Sequence, residues 1–219
     1  MINFNENQIK QINSLKPLVE SKFKYESKRW GKLNITFKPL IHDFIDKDIS
    51  RQDVINCFSD YYNHKNQDVI RPFLLSMIWG FGDTGYGCYR TNKYVESIEN
   101  RETIKSAIDV LNSDNPERVK IAFNSLKTID GLGVSYLTKV LYFATRSLNY
   151  NEYTLIFDIR VATSLIRLTT PIEIYNIVSI LPSTKFIDFE KFNFIMHNIA
   201  KINEIDTEKL EMYLFNQEF

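Results

Sequence analysis

Residues 126–143 read LKTIDGLGVSYLTKVLYF, and this stretch decides the fold of the region around it. Apolar positions recur at helical spacing on both sides of a short segment that holds Gly131 and Gly133. The spacing predicts a helix that ends near Lys127, a tight turn, and a second helix that begins at Val134. Glycine permits a positive φ in such a turn and lets another backbone approach closely.

The second helix of this predicted hairpin presents its unpaired amide groups, and the positive end of its dipole, at the turn. Such a helix end favours a phosphate ligand. A simpler interpretation makes the first glycine a helix C-cap and the second a packing residue. The hairpin alone does not separate these two interpretations.

Helical periodicity continues through most of the chain and predicts an all-α protein of about ten helices with little strand. One compact helical domain spanning residues 1–219 fits the pattern, and two helical lobes flanking a cleft are one form it can take. Extended segments are expected at residues 33–38 and 153–157. The main predicted helices cover residues 5–26, 50–62, 68–79, 101–113, 116–127, 134–147, 158–168, 188–203 and 206–215, and Thr170-Pro171 is expected to open one more.

Asp158 stands at the start of the helix predicted for residues 158–168. An isolated aspartate at that place is most simply an N-cap. Its position after the hairpin suggests a second role. The helix of residues 134–147 spans roughly 21 Å, and the stretch 148–157 spans roughly 33 Å when extended. The chain can therefore return along the helix and bring the Asp158 carboxylate beside the turn.

This order of hairpin, apolar helix, short return and aspartate resembles that of the helix-hairpin-helix DNA glycosylase superfamily. Three stretches carry the resemblance: WGFGDTGYGCYRT (79–91), IDGLGVSYLTKVLYFA (129–144) and IFDIRVATSLIRL (156–168). They look most like bacterial 8-oxoguanine DNA glycosylase-like proteins. The three stretches cover about a fifth of the chain, and the first 70 residues and the acidic tail match no motif.

The resemblance implies an enzyme that bends double-stranded DNA, flips one nucleotide into a pocket and breaks its N-glycosidic bond. Asp158 matches the family's aspartate, whose carboxylate stabilises the sugar cation or activates the attacking group. Bifunctional members carry a nucleophilic lysine two residues after the second hairpin glycine, where this chain has Ser135. Lys139 lies one helical turn further along, on the same face. It is a candidate nucleophile, a structural partner of the aspartate or a phosphate ligand.

The same hairpin is expected to bind a DNA phosphate through Gly131, Gly133 and Ser135. Lys127 lies just before the turn and is a further candidate for that contact. Arg160, close behind the catalytic aspartate, is a candidate either to contact a phosphate or to orient the carboxylate.

A second glycine-rich stretch, residues 79–91, is predicted to form a loop and contains the spacing G-x-G-x-x-G. No βαβ pattern surrounds it and no Gly-Lys-Ser/Thr follows, so a Rossmann or P-loop nucleotide site is not expected. Aromatic faces stack on unpaired bases, and arginine binds phosphates and base edges. We therefore interpret Trp79, Asp83, Tyr86 and Arg90 as the wall of a base pocket. The alternative is a structural loop with Trp79 in the core.

Composition restricts the class of protein and the kinds of ligand that are expected. The chain has 219 residues, 44% hydrophobic and 25% charged, which is typical of a globular protein. Lys plus Arg and Asp plus Glu are 27 each, which argues against a non-specific DNA coat but leaves room for a local basic face. Two cysteines and three histidines, scattered in sequence, match no metal motif. The first residues lack the apolar core typical of a secretory leader, and no apolar run reaches membrane-spanning length, so neither a leader nor a membrane span is expected. We expect a cytoplasmic protein without cofactor, metal, membrane association or obligate protein partner.

The leading prediction is a DNA glycosylase that excises a modified base from double-stranded DNA. Oxidised guanine is the base in the family's name. Relatives that resemble the chain excise hypermodified phage bases such as glucosylated hydroxymethylcytosine, so repair and antiphage defence are both open. A non-catalytic helix-hairpin-helix module that binds DNA is the second hypothesis, and a plain helical scaffold is the third. Salt-dependent DNA binding separates the scaffold from the others, and catalysis separates the first two.

Overall fold

A computed structural model describes residues 2–64, 68–82, 84–168 and 181–216. These residues are mostly helical, and this confirms the all-α prediction. Beside the 3-10 helix Lys38–Phe44, the α-helices in the described part are α1 Glu6–Ser14, α2 Pro17–Glu20, α3 Ser27–Trp30, α4 Arg51–Asn63, α5 Ile70–Phe81, α6 Gly87–Glu96, α7 Ile98–Leu111, α8 Arg118–Lys127, α9 Val134–Ser147, α10 Ile159–Arg167, α11 Phe186–Ile202 and α12 Thr207–Asn216. The helix expected to open at Thr170-Pro171 lies outside the described residues.

The described strands lie at residues for which the sequence pattern did not predict extended structure. Strands β1 Lys22–Lys24 and β2 Asp48–Ser50 pair antiparallel, with Phe23 opposite Ile49. The expectation of extended structure at residues 33–38 is wrong, because these residues form turns that lead into the 3-10 helix. A three-residue strand is too short to show a period-two pattern, so its sequence signal is weak.

The single helix predicted for residues 5–26 is also wrong. Helix α1 ends at Ser14, Leu15 is extended, and α2 and β1 follow. Pro17 explains the break, because proline lacks an amide hydrogen and disfavours helical backbone in the residue before it. The start of α1 is well specified: Asn5 forms a capping box with Gln8.

Close contacts divide the chain into two compact units, residues 18–154 and residues 1–17 with 155–219. In the first unit, α4, α5 and α9 pack against one another. Ten of the twelve residues of α5 and eleven of the fourteen of α9 are buried. A helix that is apolar on most of its surface must lie inside a core, so these two helices form the centre of this unit.

The second unit contains α1 and α10–α12. Helix α12 contacts each of the other three, and the Ser164 hydroxyl of α10 donates to the Leu214 carbonyl over 2.6 Å. Phe157 stacks on Phe192, with ring centroids 4.5 Å apart, and also packs near Phe189. These aromatic side chains form the core beneath the start of α10, the helix that carries Asp158 as its N-cap.

Candidate active site

The turn between α8 and α9 takes the form that the sequence predicts. Helix α8 ends at Lys127, and α9 begins at Val134 with Gly133 as its N-cap. Gly131 has a φ of +81°, a left-handed conformation that favours glycine. Gly133 has a φ of −68°, and a Cβ atom there would meet no atom within 4 Å. The first glycine is therefore required by the backbone, whereas the second leaves open space at the helix start.

Helix α6 holds this turn at two consecutive residues. The Lys93 ammonium donates to the Asp130 carboxylate over 2.5 Å. The Tyr94 hydroxyl donates to the Gly131 carbonyl over 2.8 Å. Neither residue was singled out in the sequence, because they lie 37 positions before the turn and no local spacing links them to it.

The candidate phosphate ligands are accessible. Lys127 is exposed, and Ser135 is half-buried in the first turn of α9. The Val134 amide makes no hydrogen bond that the described part of the chain provides, as expected for the first turn of a helix. The N-terminal end of α9 thus combines an amide donor, a hydroxyl and an open approach, a combination that suits an anion.

Lys139 and Ser135 contact one another, as their spacing predicts. The Lys139 ammonium donates to the Ser135 hydroxyl over 3.0 Å and to the Ser135 carbonyl over 3.2 Å. It also lies 5.2 Å from the centre of the Tyr136 ring. The lysine is only 5% exposed, and its stem runs past Gly80 of α5, where no side chain intervenes. An amine in so enclosed a position is held in one geometry, which a nucleophile requires.

Asp158 caps α10 in the other unit. Its carboxylate accepts from the Arg160 amide over 3.0 Å, which confirms the capping role expected for an aspartate at this place. The Arg160 guanidinium lies 4.9 Å from the centre of the Phe215 ring. Arg160 is exposed, so it stays available to a phosphate, and its contact with Asp158 runs through its backbone amide.

The chain does turn back along α9 after that helix ends. The Thr154 amide donates to the Thr145 hydroxyl over 3.1 Å. The Tyr153 ring lies 6.3 Å from the Tyr142 ring. The chain therefore runs back along α9 as far as Thr154, the last residue of the unit that holds the hairpin.

Only part of the glycine-rich stretch 79–91 is a loop. Helix α5 continues to Phe81 and α6 begins at Gly87, so the loop prediction is wrong for residues 79–81 and 87–91, and Arg90 is helical. A Cβ atom at residue 87 would lie 2.7 Å from the Cβ of Phe81, so this glycine permits close packing at the start of the helix. Asp83 lies outside the described residues.

The proposed pocket residues of this stretch fall into two groups. Trp79 is 5% exposed, its indole donates to the Ser21 carbonyl over 3.0 Å, and its ring packs edge-on against Phe143. This is the environment of a core residue. Tyr86 is 75% exposed and precedes α6, and Arg90 is exposed on the first turns of that helix. The residues accessible to a ligand therefore lie at the start of α6, the helix that also holds the hairpin turn.

A comparison with protein families shows the family to which this chain belongs. Residues 16–215 match the model of the family described as "Putative 8-oxoguanine DNA glycosylase OGG-like protein". The chain belongs to this family. Searches of curated proteins and of solved structures found no match.

Membership in the OGG-like family supports DNA glycosylase activity, with DNA as the substrate and DNA repair as the biological process. In the described residues of this OGG-like chain, no group of three or more His, Cys, Asp or Glu side chains is placed to hold a metal ion. Among the described helices, none is both long and apolar enough to cross a membrane.

Proposed function

We propose that this protein is a DNA glycosylase that flips a modified base out of double-stranded DNA and excises it. The match to the OGG-like family supports DNA glycosylase activity in general. The observation that carries the proposal is the buried Lys139 amine, held against Ser135 one turn into the helix that follows the glycine turn. A plain scaffold has no need of a buried ammonium at that place, since burying a charge is costly.

The chemistry requires a carboxylate. When the N-glycosidic bond breaks, its electron pair leaves with the base and positive charge develops on the sugar. A carboxylate stabilises this cation and accepts the proton of the water that bonds to C1′. The departing base takes up a proton, and an abasic sugar remains. We assign the carboxylate to Asp158, because it follows α9 and opens α10 as the family's aspartate does.

We further propose that the Lys139 amine takes the place of that water. The ammonium first loses a proton to solvent, and the neutral nitrogen then bonds to C1′ as the base leaves with the electron pair of the glycosidic bond. A second proton passes from this nitrogen to the departing base, and opening of the sugar ring gives a Schiff base. Elimination of the 3′ phosphate from that species cleaves the strand. Ser135, which accepts from the amine, keeps it oriented.

The carboxylate is tested by mass spectrometry of the bases released from a pool of modified DNA duplexes. The pool contains 8-oxoguanine, uracil, alkylated purines and glucosylated hydroxymethylcytosine, so a released base also separates repair of oxidised DNA from antiphage defence. Asp158→Asn preserves a capping side chain, and we expect base release to fall by about 100-fold or more. Asp206→Asn is the matched control, because Asp206 accepts from the Lys209 amide at the start of α12; this variant should act like the wild type.

Release by Asp158→Asn at the wild-type rate would exclude Asp158 as the catalytic carboxylate. Release of no base by the wild type, with salt-sensitive DNA binding intact, would favour a non-catalytic DNA-binding module.

The lysine is tested by borohydride reduction during turnover. We expect a covalent protein–DNA complex with the wild type and none with Lys139→Gln, which keeps a hydrogen-bond donor but has no nucleophilic amine. Lys120→Gln, at an exposed lysine of α8 that pairs with Glu117, serves as the control. Base release without any trapped complex in the wild type would show that the enzyme uses water alone.

A further inference from the structure

The turn between α8 and α9, which the sequence analysis expects to bind a DNA phosphate, carries a negative charge of its own. Asp130 immediately precedes Gly131, and its side chain is 85% exposed. A carboxylate at this place repels the phosphate that the start of α9 is proposed to attract, because two like charges at short range oppose one another even in water. The sequence position of Asp130 therefore conflicts with the proposed use of the turn.

Lys93 resolves this conflict. Its ammonium lies 2.5 Å from the Asp130 carboxylate. The pair lowers the pKa of Asp130 and raises the pKa of Lys93 through their mutual hydrogen bond and charge, so both stay ionised near neutral pH. The next residue of α6, Tyr94, binds the Gly131 carbonyl, so the cation is carried by a helix already fixed to the turn.

An exposed ion pair of this kind contributes little to folding. The Lys93 side chain is 48% exposed and that of Asp130 is 85% exposed, and the Tyr94 hydroxyl already binds α6 to the turn. Stability therefore does not account for the placement of this pair, whereas cancellation of charge at a DNA-binding turn does.

We propose that Lys93 neutralises Asp130, so that the turn between α8 and α9 can accept a DNA phosphate, and that this pair sets the affinity of the enzyme for DNA. The inference rests on the proposed function, because it assigns the pair to the DNA-binding surface of the glycosylase. Lys93 thus acts as a positioning residue, through the charge of Asp130.

The test measures the dissociation constant of an undamaged, fluorescently labelled duplex by anisotropy at two salt concentrations. Lys93→Met leaves the carboxylate uncompensated, and we expect binding to weaken by about fivefold, the upper range for an exposed pair. Asp130→Asn should bind at least as tightly as the wild type. The double variant Lys93→Met/Asp130→Asn should bind about as tightly as the wild type, because removal of both members of the pair leaves the net charge at the turn unchanged.

Two further variants guard the interpretation. Lys93→Gln keeps a donor to Asp130 without the charge, and it should weaken binding as Lys93→Met does. Lys22→Met removes an equally exposed cation that pairs with Asp48 over 2.7 Å, and it should stay within about twofold of the wild type. Thermal melting of each variant reports whether the fold is retained.

Three results would overturn the inference. A double variant as weak as Lys93→Met would mean that Lys93 itself contacts DNA. Weaker binding by Asp130→Asn would mean that the pair shapes the turn. Equal binding by all variants would mean that the pair has no part in binding. Base release by the wild type is measured in parallel, so that the two proposals can fail separately. If the wild type releases a base but the variants do not show the expected changes in binding, this inference alone is rejected. If the wild type releases no base and binds no duplex, the proposed function is rejected.

Discussion

Gly80 illustrates how a single residue positions the buried amine. A Cβ atom at residue 80 would lie 2.7 Å from Cδ of Lys139 and 3.6 Å from Cδ1 of Tyr136. Non-bonded carbon atoms do not approach to the shorter of these distances, so a side chain at residue 80 would displace the middle of the lysine stem. The absence of a side chain on α5 is therefore part of what places the Lys139 ammonium against Ser135.

Gly80→Ala tests this arrangement. Alanine normally stabilises a helix interior by about 0.5–1 kcal/mol relative to glycine, but overpacking a core costs about 1–3 kcal/mol. We expect the second effect to dominate, with the free energy of unfolding lowered by about 1 kcal/mol and borohydride trapping reduced by roughly tenfold or more. Urea denaturation and trapping yield measure the two effects.

Gly85→Ala is the matched control, because a Cβ atom at Gly85 would meet no atom within 4 Å. It should leave both quantities near the wild type. A Gly80→Ala protein that is more stable than the wild type and traps DNA equally well would contradict the argument.

In the hairpin formed by α8, the turn and α9, the two glycines have different structural roles. Gly131 needs its left-handed backbone, whereas Gly133 has an ordinary φ and open space beside it. We therefore expect folding to depend on the first glycine and access of a phosphate to the start of α9 to depend on the second. Their spacing in sequence does not distinguish these roles, because each role depends on the backbone angles and the neighbours of the folded turn.

Alanine substitutions separate the two roles. Gly131→Ala should lower the free energy of unfolding by about 1–2 kcal/mol, the cost of a left-handed non-glycine residue. Gly133→Ala should leave that free energy almost unchanged and weaken duplex binding, because its methyl group occupies the space through which a phosphate approaches the Val134 amide. Urea denaturation and anisotropy check these outcomes. Weaker duplex binding without loss of stability in Gly131→Ala would reverse the assignment.

At the scale of the whole molecule, buried tyrosines couple the fold to pH. Burial is the main cause that raises the pKa of Tyr25 and of Tyr94 to about 12, and it also raises the pKa values of Tyr61 and Tyr62. All four belong to the unit of residues 18–154. Tyr94 and Tyr61 also donate hydrogen bonds, to the Gly131 carbonyl and the Asp109 carboxylate, that require the phenolic proton.

These shifts predict a loss of stability in alkali. An unfolded tyrosine loses its proton near pH 10, whereas Tyr25 and Tyr94 hold theirs to about 12. The folded state therefore binds more protons between these values, so the stabilisation is complete below about pH 10 and is lost as pH rises toward 12. Urea midpoints across this range should fall, and less steeply for Tyr94→Phe. Midpoints that stay constant while tyrosinate absorbance rises would contradict the prediction.

The sequence by itself determined the features that depend on neighbours along the chain. Helix α9 has the predicted bounds, Asp158 caps α10, Ser135 contacts Lys139 and the family was recognised from three short stretches. Helical periodicity, capping and i, i+4 contacts are local interactions, so their signals survive in a single sequence.

The tertiary structure alone decided which residues meet from distant parts of the chain. It buried Trp79 in the core, started α6 at Gly87, and brought Lys93 and Tyr94 to the turn that follows α8. Contacts across 37 residues depend on the packing of whole helices, and neither residue type nor spacing records them. The sequence thus placed the candidate chemistry on its helices, whereas packing decided which groups surround that chemistry and set its charge.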